Sequence, residues 1–223
     1  MVIFCIVLSL ALLALLLRIA YSRRHFHLYP AAKTAASLGF VATTLACHAQ
    51  SGVDSGYFAL LMVCLLACLA GDVLLGVANL HAGFFSRFFL AGTVAFMGAH
   101  AGFCVLFARA PGVRLRPILA LPALVAGAAA LCIRDKRRFK LKKLAPAAFV
   151  YALCVGLMTS LALAGWLGAP SARSALTAAG AGLFFASDAL LLFLYFYHKK
   201  RGWLRAANLL TYYIGMLCLA LTA

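Results

Sequence analysis

Glutamate is absent from this 223-residue chain, and four aspartates, Asp54, Asp72, Asp135 and Asp188, carry all of its side-chain negative charge. A charged residue content of 11%, against 66% hydrophobic residues, excludes an ordinary soluble domain, whose surface needs far more ionised side chains. Recognised site motifs are missing too. There is no C-x-x-C, no H-E-x-x-H or other paired-histidine spacing, and no G-x-S-x-G, so nothing in the pattern points to a zinc site, a bound cofactor or a nucleophile-elbow serine. The eight cysteines fall within or at the ends of apolar runs, where they read as small buried hydrophobes rather than a disulfide framework.

Long apolar runs fill the chain. Eight of them, at 2–20, 29–49, 57–78, 86–108, 116–133, 144–167, 172–197 and 203–222, are each about the 17 to 25 residues that span the hydrocarbon of a bilayer as a helix. The expected fold is an all-α integral membrane protein with eight transmembrane helices in a single domain, 1–223, and no separate soluble domain. The first run is preceded by no basic residue and followed by Arg18, Arg23 and Arg24, which makes it a retained helix rather than a cleaved signal.

A net charge of +16 raises the question of nucleic acid, but the cations sit in the short connections between runs. Sixteen of the 20 lysines and arginines collect on one side, among them the stretch from Arg134 to Lys143, and Arg109, Arg114, Arg116 and Arg173 lie on the other. That asymmetry marks the cytoplasmic face and places both termini outside. The expected partner of the basic loops is an anionic lipid headgroup layer, not RNA or DNA. Neither terminus carries a retention or lipidation signal, so a bacterial inner membrane is expected, or the endoplasmic reticulum in a eukaryote.

Against this background Asp72, in Leu69-Ala70-Gly71-Asp72-Val73-Leu74-Leu75, stands out, because a carboxylate in hydrocarbon is costly and marks a candidate site. Asp188, in Phe185-Ala186-Ser187-Asp188-Ala189-Leu190-Leu191, echoes it. The two are related by a gapless offset of 116 residues. The same offset lays Pro30-Ala31-Ala32 on Pro146-Ala147-Ala148 and Thr43-Thr44-Leu45-Ala46 on Thr159-Ser160-Leu161-Ala162. Roughly 21 of about 107 positions match, where the composition alone gives roughly 12. Two parallel four-helix repeats, 1–108 and 116–223, around an intramembrane cavity follow, with a pseudo-two-fold along the membrane normal and the two aspartates facing each other across it. Both lie toward the cytoplasmic half, roughly 9 Å and 14 Å from the helix ends.

Other polar residues fall at helical spacing. In the second run Tyr29, Lys33, Ser37, Thr44 and His48 form a stripe, and Lys33 reads equally well as a site residue or as a lysine snorkelling to the headgroups. In the fourth, Thr93, Met97, His100 and Cys104 share a face. The sixth carries Tyr151, and the eighth carries Asn208, Thr211, Tyr212 and Tyr213. Two carboxyls in one low-dielectric pocket should not both be ionised, so one holds its proton and can act as an acid while a neighbouring cation keeps the other charged. An intramembrane aspartate pair of this kind also suits a proton-coupled transporter, or an inert interhelical pair.

The segments around Asp72 and Asp188, together with Phe89-Leu90-Ala91-Gly92-Thr93-Val94-Ala95-Phe96-Met97-Gly98-Ala99-His100 and Thr211-Tyr212-Tyr213, resemble the YhhN family of transmembrane proteins, which includes the lysoplasmalogenases. Lys33 and Tyr151 look like that family's lysine and tyrosine. Phe103 and Met216 stand where a tyrosine and a glutamine are common. The resemblance implies an ether hydrolase that cleaves the vinyl ether bond of a lysoplasmalogen, an alkenylglycerophospho-choline or -ethanolamine, to a fatty aldehyde and a glycerophospho-base. On that reading Asp72, Asp188 and His100 are catalytic: Asp188 is the proton donor while Asp72 stabilises the cation and aligns water, or the two aspartates exchange these roles. Lys33, Tyr151, Asn208 and Tyr212 contact the lysophospholipid.

Overall fold

The computed structural model describes residues 1–81, 87–111, 120–135, 137–141, 144–198 and 201–223. Ser86 and residues 116–119, the starts of two expected runs, lie outside them, as do Arg114, Lys136, Lys142, Lys143, Lys199 and Lys200 of the charge asymmetry. Eight α-helices are described: α1 Val2–Ala20, α2 Tyr29–Ser51, α3 Ser55–His81, α4 Arg87–Ala108, α5 Ala120–Arg134, α6 Ala145–Gly168, α7 Ala172–Phe196 and α8 Trp203–Ala220. A short 3-10 turn, Phe26–Leu28, leads into α2. No β-strand longer than an isolated bridge between Phe139 and Tyr197 occurs among the described residues.

Five of these helices, α1, α3, α4, α6 and α7, are long and apolar enough to cross a membrane. The described part of α5 is shorter, at 15 residues. The polar stripe of α2 and the asparagine, threonine and tyrosines of α8 lower their hydropathy, because these helices give residues to the interior site described below.

Local chemistry sets the helix ends. Pro30 and Pro146, which coincide under the 116-residue offset, each stand in the first positions of a helix, where the missing N–H costs nothing. Gly52 closes α2 in the left-handed region at φ 61°, a conformation that admits glycine readily, and so allows a tight return into α3. Ser171 caps α7 through a reciprocal exchange with Ser174.

The helices pack as a closed ring in the order α2, α3, α4, α6, α7, α8 and back to α2. Helix α1 lies outside on α2 and α8, and α5 lies outside on α6. Within the ring, the contacts of α2 with α8 and of α4 with α6 exchange under the 116-residue offset. Residues separated by that offset also meet directly. Asn79 Nδ2 donates to Tyr195 OH at 2.9 Å, and the Phe96 and Tyr212 rings stand edge to face at 5.9 Å. At the α3–α4 crossing a Cβ on Gly92 would come within 3.3 Å of the Gly71 carbonyl; at the matching α7–α8 crossing Asn208 Nδ2 donates to the Ser187 carbonyl (2.8 Å) and hydroxyl (2.9 Å).

Candidate functional site

Asp72 is fully buried on α3. Its Oδ1 faces the Lys33 ammonium at 2.8 Å, an ion pair rather than a well-angled hydrogen bond, and its Oδ2 accepts from Ser37 Oγ at 2.6 Å and from Tyr212 OH at 2.7 Å. Lys33 and Ser37 reach it from α2 because residues four apart share a helix face. Tyr213 OH braces this arrangement, bonding Ser37 Oγ and donating to the Lys33 carbonyl, each at 3.1 Å. Lys33 is 7% exposed. It therefore does not snorkel; its side chain turns inward to neutralise Asp72.

Asp188, on α7, has different partners. His100 Nε2 lies 3.0 Å from Asp188 Oδ2, and Tyr151 OH donates to the same oxygen at 3.2 Å and approaches His100 Nε2 at 3.0 Å. The other imidazole nitrogen, Nδ1, faces the Met158 thioether sulfur at 3.3 Å. A thioether only accepts, so Nδ1 carries a hydrogen in any tautomer that this contact satisfies. Any proton held between Nε2 and Asp188 Oδ2 can then sit on either atom. The Asp188 side chain is 11% exposed, whereas His100 is sealed.

The two clusters have the same plan. Each aspartate takes its donors from the second helix of its own half and the fourth helix of the other half: α2 and α8 for Asp72, α6 and α4 for Asp188. What differs is the counter-group, a lysine in one and a histidine in the other.

The structure corrects the expected carboxyl pair. Among the described residues no hydrogen bond joins Asp72 to Asp188, and each carboxylate has its own set of partners. Aromatic rings fill the interior instead. Phe96, Phe184 and Tyr212 meet mutually edge to face at 5.3 to 6.3 Å, and Phe184 also covers the His100 ring at 4.6 Å. Gly71 admits this packing, since a Cβ there would stand 2.6 Å from the Phe96 ring. Phe103, at a position where the resemblance leads one to look for a tyrosine, is fully buried against Phe107 and Phe184, and Met216 is fully buried as well.

A cavity of about 80 Å³ does exist, one layer toward the basic face. Lys33 and Asn208 line it, and these link it to the acids: Lys33 to Asp72 directly, Asn208 to the residue before Asp188. Neither carboxylate lines it.

Of the residues singled out from sequence, Lys33, Asp72 and Tyr212 come together, as do His100, Tyr151 and Asp188, and Asn208 joins the second group through Ser187. Ser37, Tyr213, Met158 and Arg205 were not assigned roles from sequence. Ser37 was visible as the next member of the Lys33 stripe; Met158 and Arg205 offered no signal beyond an apolar face and a loop-proximal cation.

No curated protein and no solved structure matches the chain. The YhhN family model matches residues 8–223, essentially the whole length, and the chain belongs to the YhhN family.

Proposed function

We propose that the protein is a multi-pass hydrolase of eight membrane-spanning helices, built from two copies of a four-helix unit, that cleaves the vinyl ether of a lysoplasmalogen by acid catalysis. The observation that carries this reading is the unlike pairing of the two buried aspartates. Asp72 stands against the Lys33 ammonium, while Asp188 stands within hydrogen-bond distance of the His100 imidazole, a geometry in which a proton can pass between the two. An acid-labile bond needs a group that delivers a proton to carbon and then takes one back from water, and a carboxyl coupled to an imidazole does both.

The steps follow. Asp188, charged with a proton through His100, protonates the β-carbon of the vinyl ether. The C=C electron pair forms the new C–H bond, leaving an oxocarbenium ion beside the Asp188 carboxylate. Water adds to the α-carbon and gives its proton to Asp188, forming a hemiacetal. As the hemiacetal collapses, Asp188 passes that proton to the departing glycerol oxygen and takes the proton of the hemiacetal hydroxyl, which releases the aldehyde and returns Asp188 to its starting form. Water is consumed and nothing is oxidised or reduced. Tyr151 keeps Asp188 and His100 in register.

Asp72 takes a different role from the one expected. Both of its oxygens are engaged and it has no exposed surface, so it positions Lys33 and Tyr212 rather than aligning water. The uninterrupted course of α3 and α7 through both aspartates weighs against the transporter reading, since transporter ion sites are commonly built on broken helices. The basic face, with the Arg134 to Lys143 run, faces the cytoplasm and its anionic lipid on this reading, and both termini lie opposite. The offset contacts between Asn79 and Tyr195 and between Phe96 and Tyr212 support the duplicated unit.

The test is aldehyde release by purified protein from a lysoplasmalogen and from its acyl ester analogue. The wild type should cleave the vinyl ether alone, and Asp188→Asn should lose about 100- to 10,000-fold in rate. Hydrolysis of neither lipid by the wild type refutes the assignment.

A further inference from the structure

The 80 Å³ cavity at the basic face contains a cation that the catalytic scheme leaves unused. Arg205 lines it from the first turn of α8, together with Lys33, Asn79, Asn208 and Leu194. A guanidinium offers five N–H donors. Arg205 directs Nη1 to the Ala20 carbonyl at 2.9 Å and lies 5.4 Å from the Phe26 ring centroid, and neither contact brings a negative charge.

No aspartate pairs with it, and each of the four has another partner. Asp54 accepts from the Tyr57 amide at the opposite end of α3, Asp135 pairs with Arg138, Asp72 with Lys33 and Asp188 with His100. The position itself also calls for an anion. Cations are unfavourable in the first turn of a helix, and both α2 and α8 begin here, directing the positive ends of two helix dipoles to the cavity mouth. At roughly 15 Å³ per water-sized site, 80 Å³ accommodates on the order of five heavy atoms, the size of a phosphate group.

We propose that this cavity is the headgroup site for a single-chain phospholipid, with Arg205 as the residue that binds the phosphodiester. This rests on the lipid-hydrolase reading above and names the part of the substrate recognised. Leu194 lies on α7 six residues beyond Asp188, about 9 Å along the helix. In a lysoplasmalogen seven bonds separate phosphorus from the β-carbon of the vinyl ether, about 8 Å at the roughly 1.2 Å that each bond of an extended chain advances. A phosphate held at the Leu194 end of this cavity would bring the scissile double bond to the depth of Asp188. Lys33 and Asn79 complete a polar rim around the glycerol.

Binding can be tested without chemistry. A saturated alkyl-ether lysophospholipid, which has no vinyl ether to cleave, is titrated into purified protein beside the corresponding alkylglycerol, which lacks phosphate, and beside inorganic phosphate as a competitor. The wild type should prefer the phospholipid by about 10- to 100-fold, the range expected for charge-assisted hydrogen bonds. Arg205→Met should abolish that preference while keeping alkylglycerol binding, and Arg205→Lys should restore part of it. Leu194→Phe, which narrows the cavity at unchanged charge, should also weaken the phospholipid selectively and serves if Arg205→Met does not fold. An unchanged preference in Arg205→Met and Leu194→Phe overturns the proposal. Competition by inorganic phosphate as strong as by the lipid overturns the headgroup assignment in favour of a free phosphate site. Phosphate-dependent binding without aldehyde release would refute the hydrolase and leave the pocket standing, whereas aldehyde release indifferent to Arg205→Met at low substrate would refute the pocket alone.

Discussion

Replacing Lys33 by methionine removes an ammonium 2.8 Å from a carboxylate with no exposed surface. At an effective dielectric of about 20 the direct attraction at this separation is about 6 kcal/mol, part of which offsets the desolvation of both ions. Removing one partner of a buried pair costs about 3–5 kcal/mol, because the other charge stays buried alone. For a chain of this length each kcal/mol lowers Tm by about 2–4 °C, so Lys33→Met should fall by about 6–20 °C. Asp72→Asn should cost less. The ammonium it leaves behind lines the cavity at the basic face and can be solvated there, whereas Asp72 has no such outlet. The double variant Lys33→Met, Asp72→Asn carries neither charge and should be more stable than Lys33→Met alone. The assay is reversible unfolding of all four proteins in mixed micelles, read as a double-mutant cycle, with a coupling of about 2 kcal/mol or more. Additivity within about 0.5 kcal/mol would refute the inward-turned lysine and return Lys33 to the headgroups.

Further outcomes are expected. Tyr212→Phe removes a donor to a charged oxygen and should cost about 1.5–3 kcal/mol, more than Tyr213→Phe, whose hydroxyl serves neutral acceptors at about 0.5–1.5 kcal/mol; thermal unfolding ranks them, and the reverse order contradicts the assigned partners. Gly71→Ala drives a methyl into the Phe96 ring and should lose about 1–3 kcal/mol by the same measurement. Hydrolysis in heavy water should place one deuterium on the carbon next to the aldehyde, detected by mass spectrometry; an unlabelled aldehyde excludes protonation at the β-carbon. His100→Gln should slow aldehyde release by about 100-fold or more in a protein that still folds, and a rate near that of the wild type would remove His100 from the proton path.

Much of the helix pattern is legible from hydropathy. The run at 29–49 becomes Tyr29–Ser51 and the run at 57–78 becomes Ser55–His81, each extended by a terminal turn whose polar residues carry no hydropathy signal. Spacing alone places Lys33 and Ser37 on one face, but it cannot decide which way that face turns; the answer comes from Asp72 on a neighbouring helix. The separation of the two carboxyls was not legible. It depends on Phe96, Phe184 and Tyr212 meeting in the interior; Tyr212 reads from sequence as a substrate contact, and nothing in the spacing brings Phe96 and Phe184 to it. Arg205 escaped notice for a similar reason. Among so many basic residues at loop edges, nothing in the sequence distinguishes the one that faces a cavity.

The order of the partners along the chain bears on how such a protein is made. Lys33 precedes Asp72, and both His100 and Tyr151 precede Asp188. Synthesis proceeds from the N-terminus, so the helix carrying each acid emerges only after the group that will neutralise or share a proton with it. Asp72 can close its ion pair as soon as α3 folds back on α2 across the Gly52 turn, without waiting for Tyr212 in the last helix. Asp188 likewise meets a finished pocket. At no point in biogenesis does a bare carboxylate have to wait in an apolar medium for a counterpart still to be translated.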